Sequence, residues 1–143
     1  MAKFYAIGQL SKLADCKVST IRWYEERGFL EPATRTEGNQ RRYTDKHVTT
    51  LRFIRHARAL GFDLTEIQKL RQLNGCCYGD HIEADTIAQQ HLLDVRDKIK
   101  RLQAVEAELV SMIEDCHYEK NHQCRILEVL ADHDLCETDH KAL

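Results

Sequence analysis

Apolar side chains recur every three to four positions along most of the chain, a spacing that predicts a mainly helical fold. In the stretch YAIGQLSKLA, Ile7, Leu10 and Leu13 fall on one helical face. The stretch KVSTIRWYEERG predicts a second short helix, with Ser19 as its candidate N-cap and Gly28 as its stop. Two short helices joined by so few residues are a candidate helix-turn-helix.

The helical pattern breaks in the stretch FLEPATRTEGNQRRYT, which contains the only proline, Pro32. Gly38 and Asn39 favour a tight turn near its centre. Three arginines flank this turn: Arg35, Arg41 and Arg42. The pattern predicts a short, positively charged, two-stranded hairpin, called the wing below; a solvated basic loop is the alternative.

Two more helices are predicted after the wing. The first, in DKHVTTLRFIRHARALG, begins near Thr44 or Asp45 and ends at Gly61. Its predicted buried positions are Val48, Leu51, Ile54, Ala57 and Leu60. The second, in DLTEIQKLRQL, begins near Asp63 or Thr65.

The longest predicted helix follows a linker over residues 75–81, where two glycines and paired cysteines interrupt the pattern. Residues 82–115 contain no Gly or Pro and predict one helix on the order of 50 Å long. Its apolar stripe has coiled-coil spacing and comprises Leu92, Val95, Ile99, Leu102, Val105, Leu109 and Met112 or Ile113. A partner helix in a homodimer is the simplest cover for this stripe, and the chain's own domain is the alternative.

Charge and thiols are distributed unevenly along the chain. Residues 1–74 carry 14 basic against 8 acidic side chains, whereas residues 75–143 carry 7 against 15. A basic N-terminal part suits a polyanion such as DNA. Five of the six cysteines and six of the eight histidines lie in the acidic part. The chain therefore divides into a basic reader and an acidic, thiol-rich sensor.

The stretch DCHYEKNHQC, in the last part of the chain (residues 116–143), places seven residues between Cys116 and Cys124. The pattern leaves three alternatives for this stretch: a metal loop, a disulfide, or two core cysteines beside a polar turn. With no secretory signal and no apolar run near twenty residues, we expect a soluble cytoplasmic protein that does not enter a membrane. Cysteines in that compartment are more often ligands, redox sensors or buried thiols than disulfides.

The stretches AIGQLSKLADCKVSTIRWYEERGFLEP and GNQRRYTDKHVTTLRFIRHARALGFDLTEI, followed by a long helix and a C-x7-C loop, resemble the MerR family of metal-responsive bacterial transcription regulators. The resemblance implies a winged helix-turn-helix domain, a long dimerisation helix in an antiparallel coiled coil, and a metal-binding loop. Members bind a promoter palindrome as homodimers. On binding the inducer they distort the DNA, so that RNA polymerase can use the promoter. The resemblance thus implies a regulator and not an enzyme.

The same resemblance assigns DNA contacts by position. In the second helix they are Ser19, Thr20 and Arg22; in the wing they are Arg35, Arg41 and Tyr43; on the next helix they are Arg55 and Arg58. The second helix would contact base edges, while the arginines and the tyrosine hydroxyl would contact phosphates. Gln40 stands where the family often has an aromatic residue, a departure that concerns the details of the wing contact.

Cys116 and Cys124 match the metal-loop cysteines of the family. Thiolates bind soft or borderline ions such as Cu(I), Zn(II), Cd(II), Hg(II) and Pb(II). A further family position, which reaches the loop of the partner protomer, falls on His81. Copper-type members have a hydroxyl residue there and divalent-type members a cysteine, so His81 matches neither type.

Four more donors accompany these three: Cys76, Cys77, His117 and His122. Together they suffice for a four-coordinate nitrogen and sulfur site, and imidazole suits Zn(II) well. We therefore expect a divalent ion, Zn(II) first and Cd(II) or Pb(II) next, rather than Cu(I). Each added donor has a structural alternative: a helix-capping His81, solvated loop histidines, or a packed Cys77.

Two other classes of function compete with metal sensing. The same DNA-binding scaffold could sense oxidants or aldehydes through reactive thiols. A thiol enzyme is disfavoured, because no Cys is paired in the pattern with a distant His and acid. Cys16, in the turn of the reader, fits either a ligand or a small buried side chain. His133, Cys136 and His140 are expected in a frayed C-terminal tail, with a further ligand or a second ion site as the alternative.

Overall fold

The computed structural model describes residues 3–73, 77–115 and 124–138. These residues form a mainly helical chain that divides into two compact units, residues 1–84 and residues 85–143. The helices are α1 (Ile7–Ala14), α2 (Val18–Glu26), α3 (Asp45–Ala59), α4 (Leu64–Gln72), α5 (Tyr78–Asp115) and α6 (Arg125–Ala131), and the strands are β1 (Thr34–Arg35) and β2 (Arg41–Arg42). None of the described helices is both long and apolar enough to cross a membrane.

The turn between α1 and α2 starts at Asp15, which ends α1 in the left-handed conformation with φ 47°. Lys17 is extended and is the N-cap of α2, so the predicted cap, Ser19, lies in the first turn instead. Leu10 is fully buried, but Leu13 is 40% exposed. Of the predicted apolar face, Leu10 and Ile7 therefore pack on the core together with Ala14, whereas Leu13 lies at the edge of that face.

One apolar core joins α1, α2, the wing and α3, and a second core lies between α3 and α4. The first contains Leu10, Ala14, Ile21, Leu30, Tyr43, Val48 and Leu51. The second contains Ile54, Ala57 and Ile67. These positions confirm the predicted stripe of α3 except for Leu60, which is 60% exposed because it is the C-cap, beyond the last turn of the helix.

The ends of α3 and α4 follow the capping residues in the sequence. Thr44 is the N-cap of α3, and its backbone N–H donates to Nδ1 of His47 at 3.0 Å. Gly61 follows α3 with φ 89°, a conformation that favours glycine. At the start of α4, Asp63 and Glu66 exchange two hydrogen bonds of 2.8 Å between each carboxylate and the other's backbone N–H. This reciprocal capping box fixes the first turn of α4.

The wing is present as predicted. β1 and β2 are antiparallel, with Thr34 opposite Arg42 and Arg35 opposite Arg41. Asn39, in the turn, has φ 60°, so the predicted tight turn is formed there. A bridge between Tyr5 and Tyr43 adds the N-terminal segment to the other side of β2.

Helix α5 begins at Tyr78, four residues before the predicted start, so only part of the expected linker separates it from α4. Gly79 lies in the first turn of α5. Glycine is tolerated there because it destabilises a helix by only about 1 kcal/mol relative to alanine. Most of the predicted stripe is exposed in the single chain: Leu92, Ile99, Leu102, Leu109 and Ile113. Met112 is buried instead. The exposed stripe is what a helix awaiting a partner would present.

The described residues after the predicted loop, 124–138, contain helical structure and are not frayed. Val129 of α6 is buried, and a short 3-10 turn, His133–Leu135, follows. Thr138, the last described residue, is hydrogen-bonded to α5. The prediction of a frayed tail is therefore wrong for His133 and Cys136, while His140 lies outside the described residues.

Candidate nucleic-acid interface and metal-ligand residues

Helix α2 carries polar side chains on both sides of its one buried residue in sequence. Ile21 is fully buried and fixes the helix in the first core. Ser19 and Arg22 are exposed, and Thr20 is half-buried. Of the three residues assigned to base contacts, Ser19 and Arg22 are therefore accessible and Thr20 is accessible in part.

Arg22 of α2 and Arg35 and Arg41 of the wing line one cleft of about 220 Å³. The remaining lining residues are Glu25, Glu26, Pro32 and Ala33. Arg35 donates from Nη1 to Oδ1 of Asn39 at 2.7 Å, so the wing turn orients its guanidinium. Three cations from two elements thus converge on one concave surface, an arrangement that suits a phosphate backbone.

Glu25 joins the wing to α2. One carboxylate oxygen accepts the backbone N–H of Ala33 at 3.2 Å, and the other accepts the hydroxyl of Tyr43 at 3.2 Å. Because Ala33 immediately precedes β1 and Tyr43 immediately follows β2, both ends of the wing are tied to the same side chain. The spacing between the wing and α2 therefore depends on Glu25.

Tyr43 does not have the position that its expected phosphate contact requires. Its exposed fraction is 0%, and its hydroxyl is occupied by Glu25. Burial first, and then the neighbouring Glu25 carboxylate, raise the pKa of Tyr43 to about 12. In this conformation Tyr43 packs the wing against the first core, and its hydroxyl is not open to a phosphate.

The two arginines expected on α3 are both engaged within the chain. Arg55 forms an ion pair with Asp15 of the turn between α1 and α2, and more than half of its side chain is exposed. Arg58 donates to the carbonyl of Phe62 at 3.1 Å. An exposed ion pair of this kind contributes little stability, so Arg55 can exchange Asp15 for a phosphate.

The aromatic residues of α2 pack within the reader. Trp23 and Phe29 stack with ring centroids 6.0 Å apart and an interplanar angle of 10°. Tyr24 meets Trp23 edge-on at 5.5 Å. The guanidinium of Arg27 lies over the Trp23 ring, 5.0 Å from its centroid. These contacts use the ring faces that a stacked base would otherwise need.

Cys16 is a half-buried thiol in the turn between α1 and α2. Burial raises its pKa, while the nearby Arg55 acts in the opposite direction. A raised pKa means less thiolate at neutral pH and hence lower reactivity. This position suits a packed thiol better than a chemical sensor.

Cys77 and His81 lie together at the start of α5. The backbone N–H of His81 donates to the carbonyl of Cys77 at 3.4 Å, which places the two residues one helical turn apart. Residues four apart share a helical face, and both of these are exposed. The structure therefore brings two of the predicted donors onto one accessible face.

The other predicted donors divide between described and undescribed residues. Cys124 is exposed and is the N-cap of α6. Four predicted donors lie outside the described residues: Cys76, Cys116, His117 and His122. Within residues 3–73, 77–115 and 124–138, no group of three or more metal-binding side chains comes together.

The residues that flank the C-x7-C stretch lie near each other. Asp115 ends α5 and precedes Cys116, and Arg125 begins α6 and follows Cys124. Oδ2 of Asp115 is 4.0 Å from Nε of Arg125. The neighbours of both loop cysteines are thus within ion-pair range, which is compatible with two thiolates that share one ion.

Glu108 is a buried carboxylate that the sequence reasoning missed. It is 3% exposed and accepts hydrogen bonds from residues after α6. The available signal was its position: Glu108 precedes the buried Met112 by four residues, so it shares a helical face with an apolar residue. A charged residue on such a face needs a hydrogen-bonded partner.

Comparison with known proteins accounts for this combination of reader, long helix and thiol loop. Residues 5–73 match the family of MerR HTH regulatory proteins, and residues 48–112 match the family described as MerR, DNA binding. The chain belongs to the MerR family. It is therefore a transcription regulator of a DNA-binding family, and that family is not one of enzymes.

Individual relatives cover most of the chain. The HTH-type transcriptional regulator ZntR of Escherichia coli strain K12 is 36% identical over 88% of this chain and 92% of its own. The mercuric resistance operon regulatory protein of Pseudomonas fluorescens is 37% identical over 85% and 83%. The crystal structure of the transcription regulator PbrR691 of Ralstonia metallidurans CH34 in complex with lead(II) has a TM-score of 0.75 and 38% identity, covering 88% of this chain and 98% of that one.

Proposed function

We propose that this MerR-family chain binds a promoter palindrome as a homodimer and activates transcription by distorting the DNA when it binds a thiophilic metal ion. The strongest support is the cleft where Arg22, Arg35 and Arg41 converge, in a chain whose residues on either side of the C-x7-C stretch, Asp115 and Arg125, lie within ion-pair range. The names of the mercuric and lead(II) relatives favour a metal as the inducer. RNA polymerase is the partner that would use the distorted promoter.

In this proposal α2 enters the major groove and the wing lies on the adjacent backbone. Ser19, Thr20 and Arg22 contact base edges, because they lie on the accessible part of α2. Arg35 and Arg41 bind phosphates, and Arg55 and Arg58 extend the backbone contacts along α3. Tyr43 acts indirectly, by holding the wing in place through Glu25.

The homodimer is proposed from α5. Its exposed apolar stripe runs along the helix, and burying a stripe of this kind against an antiparallel copy contributes roughly 25 cal/mol per Å² of apolar surface. Two copies would also place two readers on the two half-sites of a palindrome. A chain that remains monomeric would leave the stripe in water.

The ion is proposed to be divalent, with Zn(II) favoured over Cd(II) or Pb(II). Cys116 and Cys124 would be its thiolate ligands, and His81 and Cys77 of the partner protomer would supply further donors from one helical face. Cys76, His117 and His122 are the remaining candidates. A mixed set of thiolates and imidazole suits a divalent ion, whereas a pair of thiolates alone would suit Cu(I).

The test compares Cys124→Ser with the matched variant Cys136→Ser, which changes a thiol outside the loop. We expect Cys124→Ser to abolish metal-dependent transcription while leaving operator affinity within about twofold, a change below 0.5 kcal/mol. Cys136→Ser should retain both activities. Normal induction of Cys124→Ser by metal would exclude the loop as the sensor. Loss of operator binding in both variants would show that the loop and reader are not separate parts.

A further inference from the structure

The segment after α6 is held against α5 by the buried carboxylate of Glu108. Oε2 of Glu108 accepts the backbone N–H of Glu137 at 2.8 Å and that of Thr138 at 2.9 Å. The same oxygen lies 3.0 Å from the hydroxyl of Thr138. The two backbone N–H donors, together with a hydroxyl whose single proton is shared between this oxygen and the carbonyl of Ala104, offset the cost of removing a carboxylate from water. We call Glu108, Glu137 and Thr138 the tail latch.

Two further contacts extend the tail latch along α5. The hydroxyl of Thr138 is 2.9 Å from the carbonyl of Ala104, one turn before Glu108. The hydroxyl of Ser111 donates to a carboxylate oxygen of Glu137 at 3.3 Å. The two tail residues are therefore fixed at several points on the helix, and not by a single hydrogen bond.

Arg125 connects the latched tail to the loop ends. Its Nη2 donates to the carbonyl of Leu135 at 3.2 Å, three residues before Thr138. Its Nε is the group that lies 4.0 Å from Asp115. Arg125 thus contacts the tail on one side and the last residue of α5 on the other. A displacement of the tail would remove one of these two contacts.

We propose that Glu108 is a positioning residue for the metal loop. By holding Glu137 and Thr138 on α5, it keeps Leu135 in reach of Arg125, and Arg125 in turn stays near Asp115. Asp115 and Arg125, the described neighbours of the two loop cysteines, are then already close before the ion arrives. A preorganised loop loses less conformational freedom on binding, so its affinity is higher. The inference rests on the proposed function, because it assigns a role at the same loop.

The test measures Zn(II) affinity of the reduced full-length protein by competition with a chelator, and operator affinity in the same preparation. Glu108→Ala should bind Zn(II) about tenfold more weakly, because the tail loses its acceptor, with operator affinity unchanged. Glu108→Gln should lie between this variant and the wild type, because its amide oxygen still accepts. The matched control is Glu106→Ala, an exposed carboxylate on the same helix, which should match the wild type.

Unchanged Zn(II) affinity in Glu108→Ala would overturn the proposal, as would an equal loss in Glu106→Ala. If Glu108→Ala does not fold, Thr138→Val decides: about threefold weaker Zn(II) binding supports the latch, and wild-type binding overturns it. Failure of the proposed function is distinguishable, because it would appear as Zn(II) binding by the wild type that does not depend on Cys124.

Discussion

Removing the Tyr43 hydroxyl separates a packing role from a DNA contact. Tyr43→Phe deletes the 3.2 Å hydrogen bond to Glu25 and leaves the buried ring in place. A hydrogen bond to a charged acceptor contributes about 1.5–3 kcal/mol, and half-buried Glu25 keeps some access to water, so we expect a loss of about 1–2 kcal/mol of unfolding free energy at pH 8. The affinity of the folded variant for the operator should stay within about twofold of the wild-type affinity.

The pH dependence of this loss follows from the pKa of Tyr43, which is raised from its ordinary value of 10.0 to about 12. Because the folded state favours the protonated phenol, Tyr43 contributes fully to the free energy of unfolding below pH 10. That contribution is lost as the pH rises towards 12. The shift of about two units corresponds to at most about 2.7 kcal/mol. The stability advantage of the wild type over Tyr43→Phe should therefore shrink above pH 10.

The assay is urea unfolding at one fixed protomer concentration, from pH 8 to pH 11, paired with fluorescence anisotropy on an operator duplex. Fixed concentration matters because dimer stability depends on it. A variant with wild-type stability and tenfold weaker operator binding would refute this reasoning. It would mean that the hydroxyl leaves Glu25 and reaches a phosphate when DNA binds.

Four further substitutions test the reader, the dimer, the metal donors and a helix cap. Arg41→Ala should weaken operator binding about tenfold and reduce the salt slope by about one unit, measured by anisotropy at several salt concentrations, and an unchanged slope would exclude a phosphate contact. Leu102→Lys should yield monomers in analytical ultracentrifugation; a stable dimer would place the interface elsewhere. His81→Ser should weaken transcriptional response to Zn(II) more than to Cu(I), and equal effects would remove the ground for a divalent ion. Asp63→Ala should cost about 1 kcal/mol in urea unfolding, through loss of the N-cap of α4, with no effect on metal affinity.

Local sequence signals predicted the reader well where backbone chemistry decides the structure. Thr44, Gly61 and Asp63 bound the helices as expected, because capping groups and left-handed glycine act within a few residues. Leu60 was assigned wrongly to the buried stripe, because apolar spacing identifies a helical face but not how far the core extends along it. The depth of burial is set by neighbouring elements.

Long-range partners were the part of the candidate site that sequence could not predict. Nothing near Tyr43 in the chain indicates that Glu25 accepts its hydroxyl, and nothing near Glu108 indicates that Thr138 returns to it. Both contacts join residues far apart in sequence, so no periodicity records them. The donor assignment at Cys116 and Cys124 remains a prediction, because it came from a resemblance and the loop lies mostly outside the described residues.

The most direct test of the account is transcription from an operator-bearing promoter with the reduced, metal-free protein, titrated separately with Zn(II), Cd(II) and Cu(I). The account predicts activation by Zn(II) or Cd(II) that disappears in Cys124→Ser. Activation by Cu(I) alone would contradict the divalent assignment and indicate a site of two thiolates. No activation by any of the three ions, with intact operator binding, would contradict metal sensing by this chain.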